Sequence, residues 1–323
     1  MMGKMIPCSL ASEQSLVCII MLNYNGRDHL EYCLPSLMNT TYPNCKIIVV
    51  DNASPDNSAD KVNKLCPNAL LIRSNYNRGW SGGNNMGILT AMNMEAKYIV
   101  FANNDIKVDP RWLWEAVAVA EANPRIGVIG FKILELEPGS QDRDAGFELA
   151  KMNWHSLEIT CPKYVGGMAM FVRAELLNYI GLFDEDFFAY GEENDFQIRA
   201  RKAGYEVIEI NMPVWHYGQG SFGKIPIRAS ALQTRHNIRL LIKHGSFLDL
   251  MSAAYKYIRL RVLPFKRVPI NSAIEKRLQT STLVVNLSIL TWSVLWNIVM
   301  LPKTIKRRKE DGFRVAQAKK KWI

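Results

Sequence analysis

Residues 100–110 read VFANNDIKVDP, and the fold turns on why an apolar run stops there. The run from Tyr98 to Ala102 gives way to Asn103, Asn104 and Asp105, and a helix-like segment follows Pro110. Asn and Asp are favourable turn and cap residues, so a strand-to-helix turn explains the triplet taken alone. The alternative is a metal and phosphate site at the carboxyl edge of a sheet, where open α/β folds bind their ligands. The rest of the chain decides between the two.

Working outward, short β-rich runs alternate with helical spacing. VCIIMLN (17–23), KIIVVDNAS (46–54), ALLIR (69–73) and KYIVFA (97–102) are expected strands. Helices are expected at Arg27–Met38, Ala59–Leu65, Gly83–Met94 and Trp112–Ala122, the last starting beside Pro110. Such alternation predicts a parallel sheet in a doubly wound α/β layer. The polar clusters NYNG, DNAS, SNYNRGWSGGNN and NNDIKVD all follow strands, so four separated segments converge on one crevice. Further on, IGVIGFKI, KYVGGMAMFVR (163–173) and YEVIEI (205–210) read as strands, and GEENDFQIRARKAG (191–204) as a helix with Phe196 and Ile198 inward. Residues 135–160 are polar and irregular.

Asp51 and Asn52, the 103–105 triplet, the acids Glu192, Glu193 and Asp195, and His216 are therefore the residues that can meet in the crevice. Transfer of a group from a diphosphate is eased by a hard divalent cation that neutralises the leaving charge. Asp105 with His216 and water suits manganese or magnesium, imidazole being more usual for manganese. Glu193 or Glu192 is placed to take a proton from an acceptor hydroxyl, and each carboxylate raises the proton affinity of the other. Each feature has a plainer explanation: a turn at Asp51–Asn52, acids favoured in a first helical turn, a core histidine, a flexible glycine-rich loop. Their co-location on one sheet edge argues against all of these together. Neither GxGxxG nor GxxxxGK[ST] occurs, so dinucleotide and P-loop readings lose their main support.

Six segments carry a resemblance: LNYNGRDHLEYCLPSL, IIVVDNASPDNS, NRGWSGGNNMGI, FANNDIKVDP, GGMAMFVRAELLNYIGLFDEDFFAYGEENDFQIRARKAGY and VWHYGQGS, in order across roughly residues 17–222. They resemble the family-2 inverting glycosyltransferases of the GT-A fold, and more narrowly the bacterial rhamnosyltransferase-like branch. The resemblance implies a GT-A nucleotide-diphospho-sugar transferase in residues 1–224, with a nucleotide-binding half at about 16–125 and an acceptor and catalytic half at about 126–224. It implies donor contacts from Asn23, Tyr24, Asn25, Asp51, Asn52, Asn77, Asn84, Asn103 and Asn104. It implies a Mn2+ or Mg2+ ion on Asp105 and His216, and sugar- or acceptor-orienting roles for Asp195, Gly166 and Gly167. Glu193 stands where the family places an Asp base, one methylene longer, with Glu192 beside it. The implied donor is a dTDP- or UDP-sugar, the sugar being rhamnose or similar, and the implied acceptor a saccharide, lipid-linked, in cell-surface polysaccharide biosynthesis. A catalytically silent nucleotide-sugar-binding or scaffold protein at the membrane would keep the fold without turnover.

Charge divides the chain. Of its 323 residues, 1–225 hold 20 Lys and Arg against 26 Asp and Glu, a net −6, while 226–323 hold 20 against 4, a net +16. Residues 225–323 are thus expected to form a helical, basic extension that meets an anionic surface. STLVVNLSILTWSVLWNIVMLP (281–302) approaches the length of a membrane span. Asn286, Ser293 and Asn297 fall on one helical face, Trp292 and Trp296 suit an interface, and cations flank both ends. These features favour an in-plane helix on anionic lipid over a single span, or over a helix packed on the catalytic unit with its charges solvated. The tail is as aliphatic and Trp-rich as it is basic, so nucleic acid is not an expected partner. Six cysteines without a CxxC pair read as reduced thiols, and the N-terminus lacks an apolar core of signal-peptide length. The expected location is the cytoplasmic face of the inner membrane, peripherally attached.

Overall fold

The apolar runs of the first half form strands, and amphipathic segments connect them as helices. The computed structural model describes residues 14–135, 157–217, 226–261 and 283–322. In chain order these are β1 (Val17–Asn23), α1 (Leu30–Met38), β2 (Cys45–Asp51), α2 (Ser58–Leu65), β3 (Leu70–Arg73), α3 (Gly79–Asn93), β4 (Tyr98–Asn103), β5 (Ile106–Val108) and α4 (Trp112–Ala122). There follow β6 (Ile126–Glu135), β7 (Ile159–Thr160), β8 (Ala169–Arg173), α5 (Ala174–Ile180), α6 (Glu192–Lys202), β9 (Glu206–His216), α7 (Pro226–His244), α8 (Phe247–Arg261) and α9 (Leu283–Lys319).

One sheet runs β3-β2-β1-β4-β8-β6-β9-β5, with β7 on β9. Strands β1 to β4 are mutually parallel, and β8 lies antiparallel between β4 and β6. Alternate residues of β1 point to opposite faces, as the strand period of two requires. Val17, Ile19 and Met21 join one buried cluster with Leu34, Trp112 and Phe131. Cys18 and Ile20 join another with Ile88, Phe101 and Phe196. Both faces are thus covered, which is why β1 and β4 read as continuous apolar runs.

Several expectations shift. α1 starts at Leu30, because Gly26 to His29 form a turn whose carbonyl at Gly26 accepts the amides of His29 and Leu30. α3 starts at Gly79 rather than Gly83, because Asn52 and Asn77 side chains accept the amides of Arg78 and Gly79 and so stand in for a cap. In α6, Phe196 is buried, but Ile198 is only half-buried and the inward places beside Phe196 go to Gln197 and Arg199. β9 runs six residues beyond the expected strand. Its pairing with β6 slips between Phe131 and Lys132, absorbing Asn211 and Met212. Cys18, Cys33 and Cys66 are buried free thiols; the expectation for Cys8 and most of the 135–160 segment fall outside the described residues.

α9 lies along α7 in the same direction. Ser293 Oγ donates to Ala231 O, Asn297 Nδ2 to Arg235 O, and Arg239 to Thr304 Oγ1. The face it buries is polar: Asn286, Ser293, Asn297, Thr304 and Asp311, with Ile289 among them. The opposite face is exposed and apolar, with Val284, Leu295, Ile298 and Val299 between 58% and 77% accessible. Farther along, Val315 and Ala318 enter the core beneath the sheet.

Candidate active site

Three parallel strands deliver their polar ends together. Register aligns Asn23 with Asp51, and Leu22 with Asn103. Asn23 is fully buried and acts as a hub. Its Nδ2 donates to Ser58 Oγ at 2.7 Å, Asp51 Oδ1 at 3.1 Å and Ser54 Oγ at 3.2 Å, and its Oδ1 accepts from Asn104 Nδ2 at 3.0 Å. Gly26 packs onto this pair so closely that a Cβ there would sit 2.0 Å from Asn104 Nδ2. The Asn25 amide donates to Ser54 Oγ from a left-handed backbone, and Tyr24 beside it is half-buried. Asn52 bridges the second and third clusters, donating to Asn77 Oδ1 at 3.1 Å and Gly79 O at 3.0 Å.

The long β9 brings His216 into the crevice. Its residue pairs with Ile106, next to Asp105. His216 Nε2 lies 3.3 Å from Asp105 Oδ2, and Nδ1 lies 3.0 Å from Glu135 Oε2. Burial alone would lower the imidazole pKa, but the Asp105 and Glu135 carboxylates outweigh it and hold it up to about 9. Nε2 faces Asp105, so a cation held there by His216 would take the place of the Nε2 proton. Asp105 is 2% accessible, and its Oδ1 has no hydrogen-bond partner among the described residues. A buried carboxylate oxygen left in this way is costly unless a cation completes it. Among the described residues no group of three or more His, Cys, Asp or Glu is arranged as a metal cage. One carboxylate and one imidazole nevertheless fit a hard or borderline divalent ion whose other ligands are phosphate oxygens and water.

Glu192 and Glu193 open α6 across the crevice. The Gly191 amide donates to Glu193 Oε2 at 3.1 Å. Glu192 is 5% accessible and its Oε2 is unpaired among the described residues. Burial pushes both carboxyls up, and Glu193 pushes Glu192 farther by like charge. Half-buried Gly167 sits against the pair: a Cβ on it would lie 3.4 Å from both Glu193 Cβ and the Trp80 ring. Trp80 Nε1 in turn donates to Asn103 Oδ1 at 3.2 Å. Trp80 therefore joins the strand-end amides to the acidic pair. Gly166 precedes this contact and is also half-buried. Asn84 is buried and donates to Trp80 O at 2.9 Å, and its Oδ1 is unpaired among the described residues.

Asp195 is not in the crevice. It is fully buried on the other side of α6 and binds Arg199 at 2.8 Å, Lys243 at 2.7 Å and His244 at 2.7 Å. Those partners hold its carboxyl well below the usual range despite burial. Trp80, Ser54, Ser58 and Glu135 escaped the sequence reading. Ser54 and Ser58 stand in the segment after Asp51, and an aromatic inside a Gly/Asn-rich loop was the available signal for Trp80. Glu135 had none, since only the register shift in β9 brings it to His216.

Residues 18–178 match the model of the family described as Glycosyl transferase family 2. The chain is 24% identical over 249 residues to the N-acetylglucosaminyl-diphospho-decaprenol L-rhamnosyltransferase of Mycobacterium tuberculosis, covering 68% of this chain and 80% of that protein. It is 33% identical over 91 residues to the UDP-Glc:alpha-D-GlcNAc-diphosphoundecaprenol beta-1,3-glucosyltransferase WfaP of Escherichia coli, covering 28% of this chain. The match spans only 35% of WfaP, and 36% of an uncharacterized glycosyltransferase of Haemophilus influenzae that is similar over 118 residues. In architecture the chain is similar to the mannosyltransferase PcManGT of Pyrobaculum calidifontis, solved with GDP-Man and Mn2+. The TM-score is 0.58 at 18% identity, over 95% of this chain and 88% of that one, which establishes the GT-A fold.

Proposed function

Because this chain belongs to glycosyl transferase family 2, we propose that it is a metal-dependent inverting glycosyltransferase. It moves a sugar, rhamnose or a similar hexose, from a dTDP- or UDP-sugar to a saccharide carried on a lipid, in the building of a surface polysaccharide. The observation that carries this reading is Asp105. Its buried oxygen, unpartnered among the described residues, lies at the edge where the amides of Asn23, Asn52, Asn103 and Asn104 gather, and Gly167 packs between Glu193 and Trp80, which bonds Asn103 at that edge. The names of the mycobacterial and Escherichia coli relatives, both acting on diphosphopolyprenol-linked sugars, support a lipid-linked acceptor.

In this mechanism Asn23, Tyr24, Asn25 and Asp51 bind the nucleoside, and Asn52, Asn77 and Asn84 shape the wall beside it. Asp105 and a deprotonated His216 would hold the divalent ion, which would supply positive charge for a diphosphate leaving group. Glu193 takes the proton from the acceptor hydroxyl as its oxygen attacks the anomeric carbon opposite the leaving group. Glu192 orients a sugar hydroxyl, and Gly166 and Gly167 leave room for the sugar beside Glu193. Asp195 acts only by fixing α6.

Residues 1–224 are then the catalytic unit, and residues 225–323 an extension that rests on anionic lipid at the cytoplasmic face. α9 is long and apolar enough to cross a membrane by length and composition. Its polar face is consumed by α7 along its length, so we place it in the plane of the surface with its apolar face in the lipid.

Calorimetric titration with UDP and dTDP, with and without Mn2+, tests the donor site. Wild type should bind one nucleotide only with the metal, and Asp105→Ala should weaken that binding by roughly a hundredfold or more, since losing even a residue that only supports a metal ligand costs roughly 10- to 100-fold. Equal binding by Asp105→Ala would remove the basis of this reading.

A further inference from the structure

Tyr190 and Gly191 stand at φ 69° and 100°, directly before the Glu192–Glu193 pair. A bulky non-glycine residue keeps a left-handed backbone only where its surroundings hold it there. The holding group comes from outside the strand-and-helix half of the chain. His236 of α7 is fully buried, with Nδ1 at 2.7 Å from Tyr190 O and 2.8 Å from Ala189 O. Its Nε2 faces the Arg235 guanidinium, at 3.0 Å from Nε and 2.7 Å from a terminal nitrogen. A guanidinium only donates, so Nε2 accepts and Nδ1 carries the proton that the two carbonyls share. Burial, reinforced by the Arg235 charge, lowers the imidazole pKa to about 4, which keeps the ring neutral in this orientation.

Both ends of this contact are anchored. Arg235 lies over Trp296 at 4.3 Å and over Trp292 at 5.2 Å, and Asn297 of α9 donates to the Arg235 carbonyl. At the other end, the Gly191 amide donates to the Glu193 carboxylate. A Cβ on Gly191 would touch His236 Cβ at 3.4 Å, so helix and turn are in direct contact. The series Trp296, Arg235, His236, Tyr190, Gly191, Glu193 therefore joins the helix with the exposed apolar face to the carboxylate at the crevice.

We propose that His236 is a positioning residue: it fixes the 189–191 turn, and through it the Glu193 carboxylate, from the α7–α9 helix pair. The proposal rests on the reading of Glu193 as the base. It also assigns the extension a part in turnover that a simple anchor would not have.

The test compares full-length wild type with His236→Ala, His236→Asn and His236→Gln. Asn places an amide nitrogen where Nδ1 stands, and Gln places one where Nε2 stands. Turnover is read as nucleoside diphosphate released from UDP-glucose and dTDP-rhamnose with an N-acetylglucosaminyl-diphospho-polyprenol acceptor in vesicles. Amide hydrogen exchange is followed at residues 189–193, with Mn2+-dependent nucleotide binding and thermal melting as controls. His236→Ala should lower kcat by roughly ten- to hundredfold, with donor KM and nucleotide affinity within about twofold, and should speed exchange at 189–193. His236→Asn should recover most of both changes and His236→Gln little. Unchanged exchange at 189–193 in His236→Ala, or equal recovery by Asn and Gln, would overturn the proposal and leave the base reading standing. Full turnover in Glu193→Gln would overturn the base reading instead, whatever the exchange shows.

Discussion

Glu193 sits under opposed influences. Burial favours its neutral form, whereas the Gly191 amide and the start of α6 favour the carboxylate. Burial wins, and the like charge of Glu193 raises Glu192 farther still. A base works only when deprotonated, so a raised pKa moves the acid limb of kcat above the range of an ordinary glutamate. Because burial and not Glu192 raises Glu193, replacing Glu192 by Gln should leave that limb in place, while Glu193→Gln should lower kcat by roughly a hundredfold or more with nucleotide binding intact. Rate profiles from pH 4 to 8 check both, and a limb moved to lower pH in Glu192→Gln would show that the charge of Glu192 acts on the base. At this scale the sequence was legible where a residue type has few alternatives at a strand end: Asn23, Asp51, Asp105 and His216 are all within the crevice. It failed for Asp195, because first-turn acids two residues apart point to different sides of a helix. Only the positions of Lys243 and His244 reveal which side is ionic and sealed.

Among the elements, β9 and α9 carry the least expected information. The strand signal at residues 205–210 was clear, but its continuation through Met212 and Pro213 was not, because proline in a run argues against a central strand. The shifted register accommodates it and sets His216 beside Asp105. For α9, the helical spacing of Asn286, Ser293 and Asn297 was legible, whereas the surface they meet was not. They bond α7, so the helix is inside out relative to a soluble amphipathic helix, with its apolar stripe facing away from the protein. A stripe of this kind beside exposed Lys306, Arg308 and Lys309 suits an anionic bilayer. Wild type should sediment with phosphatidylglycerol vesicles. Exchanging Leu295, Ile298 and Val299 for Ser should reduce the bound fraction by at least tenfold, given about 1.5 kcal/mol per aliphatic side chain returned to water. Because these side chains are exposed in the folded chain, the melting temperature should hold; a fall of many degrees would mean that the stripe is buried in a protein contact.

Across the whole molecule, the charge division noted in the sequence is partly an internal pairing. Acids of the acidic first part of the chain, Asp184, Asp186 and Asp195, meet cations of the proposed extension, Arg239, Lys243 and Lys303. Lys243 is 2% accessible and reaches Asp184, Asp195 and Asp311 at 2.7 to 3.0 Å. The extension is thus fastened to the back of α6 by buried charge, and only the remainder of its +16 is free for a surface. Removing one partner from such a cluster leaves carboxylates desolvated and uncompensated, so Lys243→Met should cost about 3–5 kcal/mol. The pH dependence has a definite sign. The carboxyl of Asp195 is depressed in the folded chain, so its contribution is complete above the unfolded value near pH 4 and fades as pH falls toward the folded value. The ammonium of Lys243 is raised, so its contribution is complete below the unfolded value near 10.4 and fades as pH rises through the folded one. In Lys243→Met the Asp195 carboxyl loses a cation and its depression shrinks, so the loss of stability on acidification should still begin near the unfolded value but be smaller and end at a higher pH than in wild type. Thermal melts from pH 3 to 8 read this directly. An extension that merely trailed from the rest of the chain would give superimposable curves for the two proteins, and a single transition with a shallower acid loss in Lys243→Met would mark the two parts as one cooperative body.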